Sequence, residues 1–169
     1  IIEYYRVFWT TRVWFNKFNG NLIISGAFGL FKKSSVINVG GYNSNSIGED
    51  MELVMKLHSF NKKNENKYSM QYIPNAICWS QAPEKLKDLK SQRKRWHMGL
   101  MQSLAEHKYI FLNIKYGVVG VFSFLYYFIY EMLSCLIEVF GVVFLFISYF
   151  TGFINLKFFI TFMCIYIFY

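Results

Sequence analysis

Apolar and polar positions fall into two regimes along this chain. Charged and amide residues crowd residues 43–115, whereas residues 117–169 carry only Glu131, Glu138 and Lys157 as charges. In residues 1–18 aromatics recur with Arg6, Arg12 and Lys17 at roughly helical spacing, which predicts an amphipathic helix against protein or membrane, or equally a plain core helix. Asn19, Gly20 and Asn21 signal a turn. Residues 22–31 predict a short buried strand, interrupted by Gly26 and Gly29 where a missing side chain lets backbone or ligand come close. Gly40 and Gly41 break the chain before a helix over residues 49–60, with Met51, Leu53, Val54 and Leu57 on its buried face. Residues 68–79 alternate as a strand broken at Pro74 and Asn75.

Residues 84–107 are rich in good helix formers, and Leu86, Leu89, Trp96, Leu100 and Leu104 share much of one face. This predicts one or two amphipathic helices at a membrane surface. Residues 117–150 form an apolar stretch longer than the roughly 20 residues of one crossing. Glu131 and Glu138, two turns apart, predict an interfacial helix leading into a crossing from about Val139, with another crossing begun at residues 154–169. The resulting division is residues 1–82, 83–116 and 117–169.

Composition sharpens this picture. A chain that is 54% hydrophobic and 21% aromatic exceeds an ordinary soluble domain, and the excess lies in the lipid-like tail. The net charge is +8, and Lys85, Lys87, Lys90, Arg93, Lys94 and Arg95 lie just before the apolar segment, so the polar region is expected on the cytosolic side of the plasma membrane, with multiple passes. A nucleic-acid partner is not expected; a lipid bilayer and a phosphorylated substrate fit the charge better. Cys78, Cys135 and Cys164 show neither a disulfide framework nor zinc spacing and are expected to be reduced thiols with structural roles. No signal peptide is visible in residues 1–15, and both ends are expected to lie inside a longer protein.

Two constellations carry candidate chemistry. Gly48-Glu49-Asp50 opens a helix after a glycine-rich segment, and a carboxylate at a pocket edge can take a proton from an attacking hydroxyl. Acids at that position also cap a helix with no chemistry at all. Gln92-Arg93-Lys94-Arg95-Trp96 has a guanidinium to grip a pyrophosphate and an indole to stack on a sugar; a basic run beside a membrane also serves as a solvated anchor.

Order and company extend the reading. SGAFGLFKK from Ser25, VGGY from Val39, GED, IPNAICWSQAPE from Ile73, then QRKRW, resembles the latter half of family-2 glycosyltransferases, the membrane synthases of the cellulose, hyaluronan and poly-N-acetylglucosamine type. The resemblance implies an α/β fold: the C-terminal half of a GT-A, Rossmann-like domain followed by interfacial and transmembrane helices. It implies inverting transfer from a nucleotide-diphosphate sugar, UDP-linked by expectation, to a polysaccharide or glycolipid acceptor. Asp50 matches the family's general base, with Glu49 beside it and Gly48 in place of the usual threonine. Gln92, Arg95 and Trp96 match the family's Q-x-x-R-W motif, with Arg93 inside it, and would hold the donor's diphosphate and the acceptor. Ser25, Gly26, Ala27, Phe28 and Gly29 match the block that walls the acceptor pocket. The family's Mg or Mn is held by an upstream D-x-D pair; no D-x-D occurs in this sequence, so no metal ligand is expected on it and the isolated chain is expected to be inactive. A non-processive enzyme acting on a lipid carrier, and a non-catalytic membrane adaptor, are the competing readings.

Overall fold

The computed structural model describes residues 6–24, 26–64 and 68–168, with backbone only for Ile167 and Phe168. The chain divides into two compact units, one ending at Met132 and one beginning at Leu133. All the candidate chemistry lies in the first.

That unit starts with a π-helical segment, Arg6–Thr11, running into helix α1, Arg12–Asn16. The chain reverses at Asn19, whose φ of 53° is in the left-handed region that asparagine tolerates. The amide of Gly20 closes the turn on the Phe15 carbonyl at 2.9 Å. Helix α2, Lys33–Asn38, was not marked by any periodicity and ends on Gly40 and Gly41, with φ of 86° and 72°. Only glycine takes consecutive left-handed positions without strain, and the two amides return to Ile37 and Val36 carbonyls at 3.0 and 2.9 Å.

Helix α3, Glu49–Lys63, has Glu49, Asp50 and Glu52 in its first turn and Lys62 and Lys63 in its last, the charge order that complements a helix dipole. Leu53, Val54 and Met55 are fully buried on it. Helix α4, Leu86–Glu106, is a single helix rather than two and buries only its second half, at Gly99, Leu100, Ser103 and Leu104. Leu86, Leu89 and Trp96, expected on the same apolar face, are exposed.

Phe15, Leu22, Met55, Leu100, Leu104, Ile110, Val119, Phe124 and Tyr127 form the core, with Phe15 stacked on Tyr127 at 5.8 Å between centroids. Each fully buried side chain of this size contributes about 1.5–3 kcal/mol relative to exposure. Val119, Phe124 and Tyr127 come from the stretch Val119–Met132, expected at a membrane interface; its inner face instead completes this core. His58 is a satisfied core residue, its Nε2 2.9 Å from the Asn21 carbonyl. Burial pushes its pKa down to about 4, which keeps it neutral at pH 7.

The expected strands are absent among the described residues, so the observed architecture there is helical with irregular connections rather than α/β. Residues 22–24 are irregular and lead to a 3₁₀ turn, Gly26–Phe28, and residues 68–79 form no ladder. The physical reason is visible at the backbone: a strand is defined by its partner, and here side chains take that place. The Met70 and Tyr72 amides donate to Oδ1 of Asn19 and Asn16 at 2.7 and 2.6 Å. Alternate N–H groups are thus paired, as in a strand edge, without a neighbouring strand.

The second unit contains helices α5, Ser134–Phe150, and α6, Leu156–Phe168, with Phe146 and Tyr149 meeting Phe159 at centroid distances of 5.2 and 4.8 Å. Most of the apolar side chains on α5 are exposed, including Phe140, Phe144 and Phe150. Among the described residues no single helix is long and apolar enough to cross a membrane; Val119–Met132 and Ser134–Phe150 meet that length only together, with a break at Leu133. The break assigns Glu131 and Glu138 to separate elements, so they do not line one face of one helix.

Candidate active site

Asp50 sits in the first turn of α3, half-buried, and its environment is set by a glycine 24 residues earlier in the chain. A Cβ placed on Gly26 would fall on the Asp50 carboxylate, so the bare Cα of Gly26 is the surface against which that carboxylate rests. Loss of water raises the Asp50 pKa above the ordinary aspartate range, and the charge of Glu49 raises it further, while a backbone hydrogen bond pulls it back. A raised pKa makes the ionised carboxylate a stronger base, the direction general-base chemistry needs.

The remaining residues of the glycine-rich block are placed differently. Ser25 lies outside the described residues. Ala27, Phe28 and Gly29 are exposed, with a Cβ on Gly29 meeting the rings and methyls of Phe31 and Ile24 rather than the acid pair. Among the described residues of this block, Gly26 lies against Asp50.

Gln92, Arg93, Arg95 and Trp96 project from the exposed first half of α4. Arg93 stacks its guanidinium over the Trp96 ring at 5.5 Å. Gln92 and Arg95 line an open cleft of about 520 Å³ with Gln81, Glu84 and Asp88. Asp50 and Gly26 do not line it. The link between the two constellations is a helix crossing: a Cβ on Gly99 would stand 2.9 Å from Gly48 Cα, so α4 meets the start of α3 backbone to backbone. Arg95 and Trp96 lie four and three residues before Gly99, on the neighbouring turn of the same side of α4. Asp50 thus follows one partner of this contact by two residues, and Arg95 and Trp96 precede the other by one turn.

Comparison with known sequences adds the family. The sequence model described as "Glycosyl transferase family group 2" matches residues 2–169. This chain belongs to that family. It is 42% identical over 76 residues to the poly-beta-1,6-N-acetyl-D-glucosamine synthase of Staphylococcus epidermidis, and 43% identical over 76 residues to the enzyme of that name from Staphylococcus aureus strain COL. Each match covers 45% of this chain and 17% of the relative's length. No solved structure matches.

Family-2 glycosyltransferases commonly use a divalent metal, and one group of residues in this family-2 chain has the elements of a cation site. Glu52, Glu106 and His107 each offer a ligand atom within 4.8 Å of the others. Their chemistry does not fit a diphosphate-bound Mg or Mn. The Lys56 ammonium already lies 3.1 Å from Glu52 Oε2, and Glu52 Oε1 faces His107 Nε2 at 3.4 Å. Glu106 Oε1 accepts from Gln102, and His107 Nδ1 is 2.9 Å from the Tyr109 hydroxyl. Hard cations want several free oxygens and water, whereas these ligands are engaged and an ammonium repels the ion. Burial lowers the His107 pKa, with Glu52 opposing the shift. The group reads as an internal ion-pair network that joins α3 to the end of α4.

Gly99, Gln102, Glu52 and His107 were not singled out by sequence reasoning. Gly99 alone left a signal, since a glycine retained inside a strong helical run usually has a packing reason.

Proposed function

We propose that the chain is the acceptor-side part of an inverting polysaccharide synthase, working at a membrane within a longer enzyme. The observation that carries this is the Asp50 carboxylate, seated on Gly26 at the first turn of α3 with its pKa raised. In the proposed reaction Asp50 accepts the proton of an acceptor hydroxyl as that oxygen bonds to the anomeric carbon of the donor sugar. The bond from that carbon to the diphosphate oxygen breaks, and its electron pair leaves with the diphosphate. Attack from the opposite face inverts the centre, so an α-linked donor gives a β-linkage.

Arg95 and Gln92 would bind the departing diphosphate, Arg by paired N–H donors, and Trp96 would stack on a sugar face. Mg or Mn, held by residues that this sequence does not contain, would neutralise charge on the donor when bound. The names of the staphylococcal relatives make UDP-N-acetylglucosamine the donor to test first and a β-1,6-linked polymer the product to look for. The apolar helices α5 and α6 are assigned to the plasma membrane, with the catalytic part on the cytosolic side.

The test is transfer of radiolabel from UDP-N-acetylglucosamine into polymer by membranes carrying the protein of the full reading frame. Asp50→Asn is expected to lower transfer by roughly two orders of magnitude or more, the scale of a lost general base. Polymer from the wild type with none from the variant supports both the reaction and the base. An active variant reduces Asp50 to a helix-terminal acid, and a wild type inactive with every nucleotide sugar favours the adaptor reading.

A further inference from the structure

The loop that delivers Asp50 is held by a side chain from the other helix. Residues 43–48 lead into α3, and the residue before the helix, Gly48, has no side chain with which to cap it. Gln102, on α4, reaches across: its Oε1 accepts the Ile47 amide at 3.0 Å, and its Nε2 donates to the Asn45 carbonyl at 3.1 Å. A third bond fixes the amide's orientation, because the same Nε2 donates to Glu106 Oε1, one turn further along α4, at 3.0 Å. Only one of the two amide orientations satisfies an N–H, a carbonyl and a carboxylate at once.

The clamp has a second point of contact. Gly99, three residues before Gln102 and on the same side of α4, lies against Gly48 with no side chain between them. Gly99 thus sets the height of the loop and Gln102 its register, so that the backbone from Asn45 to Gly48 is fixed at both ends of a four-residue stretch. Asp50 comes two residues later, with its carboxylate confined on the other side by Gly26. A base is productive only within a narrow range of position, and displacement by about 1 Å costs up to ~10²-fold in rate.

We infer that Gln102 is a positioning residue for Asp50, acting through the backbone of Asn45 and Ile47 rather than by touching substrate. The inference rests on the reading of Asp50 as general base. A glutamine clamp suits this task because a single planar amide pairs an N–H and a C=O two residues apart, which a shorter or charged side chain cannot do.

The experiment uses the full-length protein in membranes, with UDP-N-acetylglucosamine as donor, and compares Gln102→Ala with wild type and with Asp50→Asn. Gln102→Ala is expected to lower kcat about tenfold while the donor KM stays within about twofold, because the diphosphate-binding residues are untouched. It is also expected to move the acid limb of the pH profile of kcat/KM to lower pH, since a released loop admits water to Asp50. Loss of folded enzyme alone would lower the amplitude without moving that limb. Should Gln102→Ala fail to accumulate, Gln102→Glu combined with Glu106→Gln keeps an acceptor for the Ile47 amide and a donor–acceptor pair on α4, and is expected to retain more activity than Gln102→Glu alone. Wild-type kcat and an unmoved acid limb in Gln102→Ala, with Asp50→Asn inactive, would overturn the inference while leaving the base in place. Full activity in Asp50→Asn would remove the base itself, and with it anything for Gln102 to position.

Discussion

At the scale of single residues, the site depends on a side chain that is missing. Gly26→Ala places a methyl where the Asp50 carboxylate rests, so either the carboxylate or the 3₁₀ turn Gly26–Phe28 must move. The expected result is a fall in transfer of about tenfold or more with little change in melting temperature, measured on the same membrane preparations. Glu49 gives a second handle. Its negative charge helps raise the Asp50 pKa, so the carboxylate is ionised, and able to act as the proposed base, only above that raised value. Glu49→Gln removes the charge, lowers the Asp50 pKa and is expected to shift the acid limb of kcat/KM to lower pH. The acid pair was legible in the sequence because its place before a helical run gave it a context. Gly26 was legible as a point of close approach and, by resemblance, as part of an acceptor-pocket wall. The group that approaches it was not, since the two positions are brought together by the tertiary fold and no local pattern records that.

At the scale of elements, helices were far more legible than extended segments. The helix expected at residues 49–60 runs over Glu49–Lys63, and the one or two expected at residues 84–107 are the single helix Leu86–Glu106, because their 3.6-residue periodicity is intrinsic to one segment. The alternation at residues 68–79 promised a strand, but alternation only offers alternate N–H groups, and the asparagines of α1 and its turn accept them instead. The crossing of α3 and α4 was hidden for a related reason: two glycines 51 positions apart give no periodic signal. Gly99→Ala is expected to cost about 1–3 kcal/mol, as overpacking does in a close contact, and to lower thermal stability in detergent. Because Gly48 sits at a φ of −116°, which any residue adopts, the cost at this crossing is one of space rather than of backbone strain.

At the scale of the whole molecule, the polar and apolar regimes of the sequence do not coincide with the two compact units, which divide between Met132 and Leu133. The difference is the stretch Val119–Met132, an apolar segment like α5 and α6 but partly used to finish the core of the first unit. Hydropathy alone does not distinguish a helix that buries one face in protein from one that is covered all round by lipid. The placement of the catalytic part can be tested through Cys78, which is exposed, once Cys135 and Cys164 are changed to serine. A membrane-impermeant maleimide is expected to label Cys78 in inverted vesicles and not in intact cells; the reverse pattern would reverse the proposed orientation.

The asparagine pairing of residues 70 and 72 has a consequence for how this segment breathes. Among the described residues no strand flanks this segment, so there is no cooperative ladder to open, and each of the two amides is held by a side chain. Hydrogen exchange should therefore alternate, slow at Met70 and Tyr72 and fast at the exposed Ser69 and Gln71. Replacing Asn16 should free Tyr72 while leaving Met70 protected, a residue-by-residue release that a β-sheet edge does not allow.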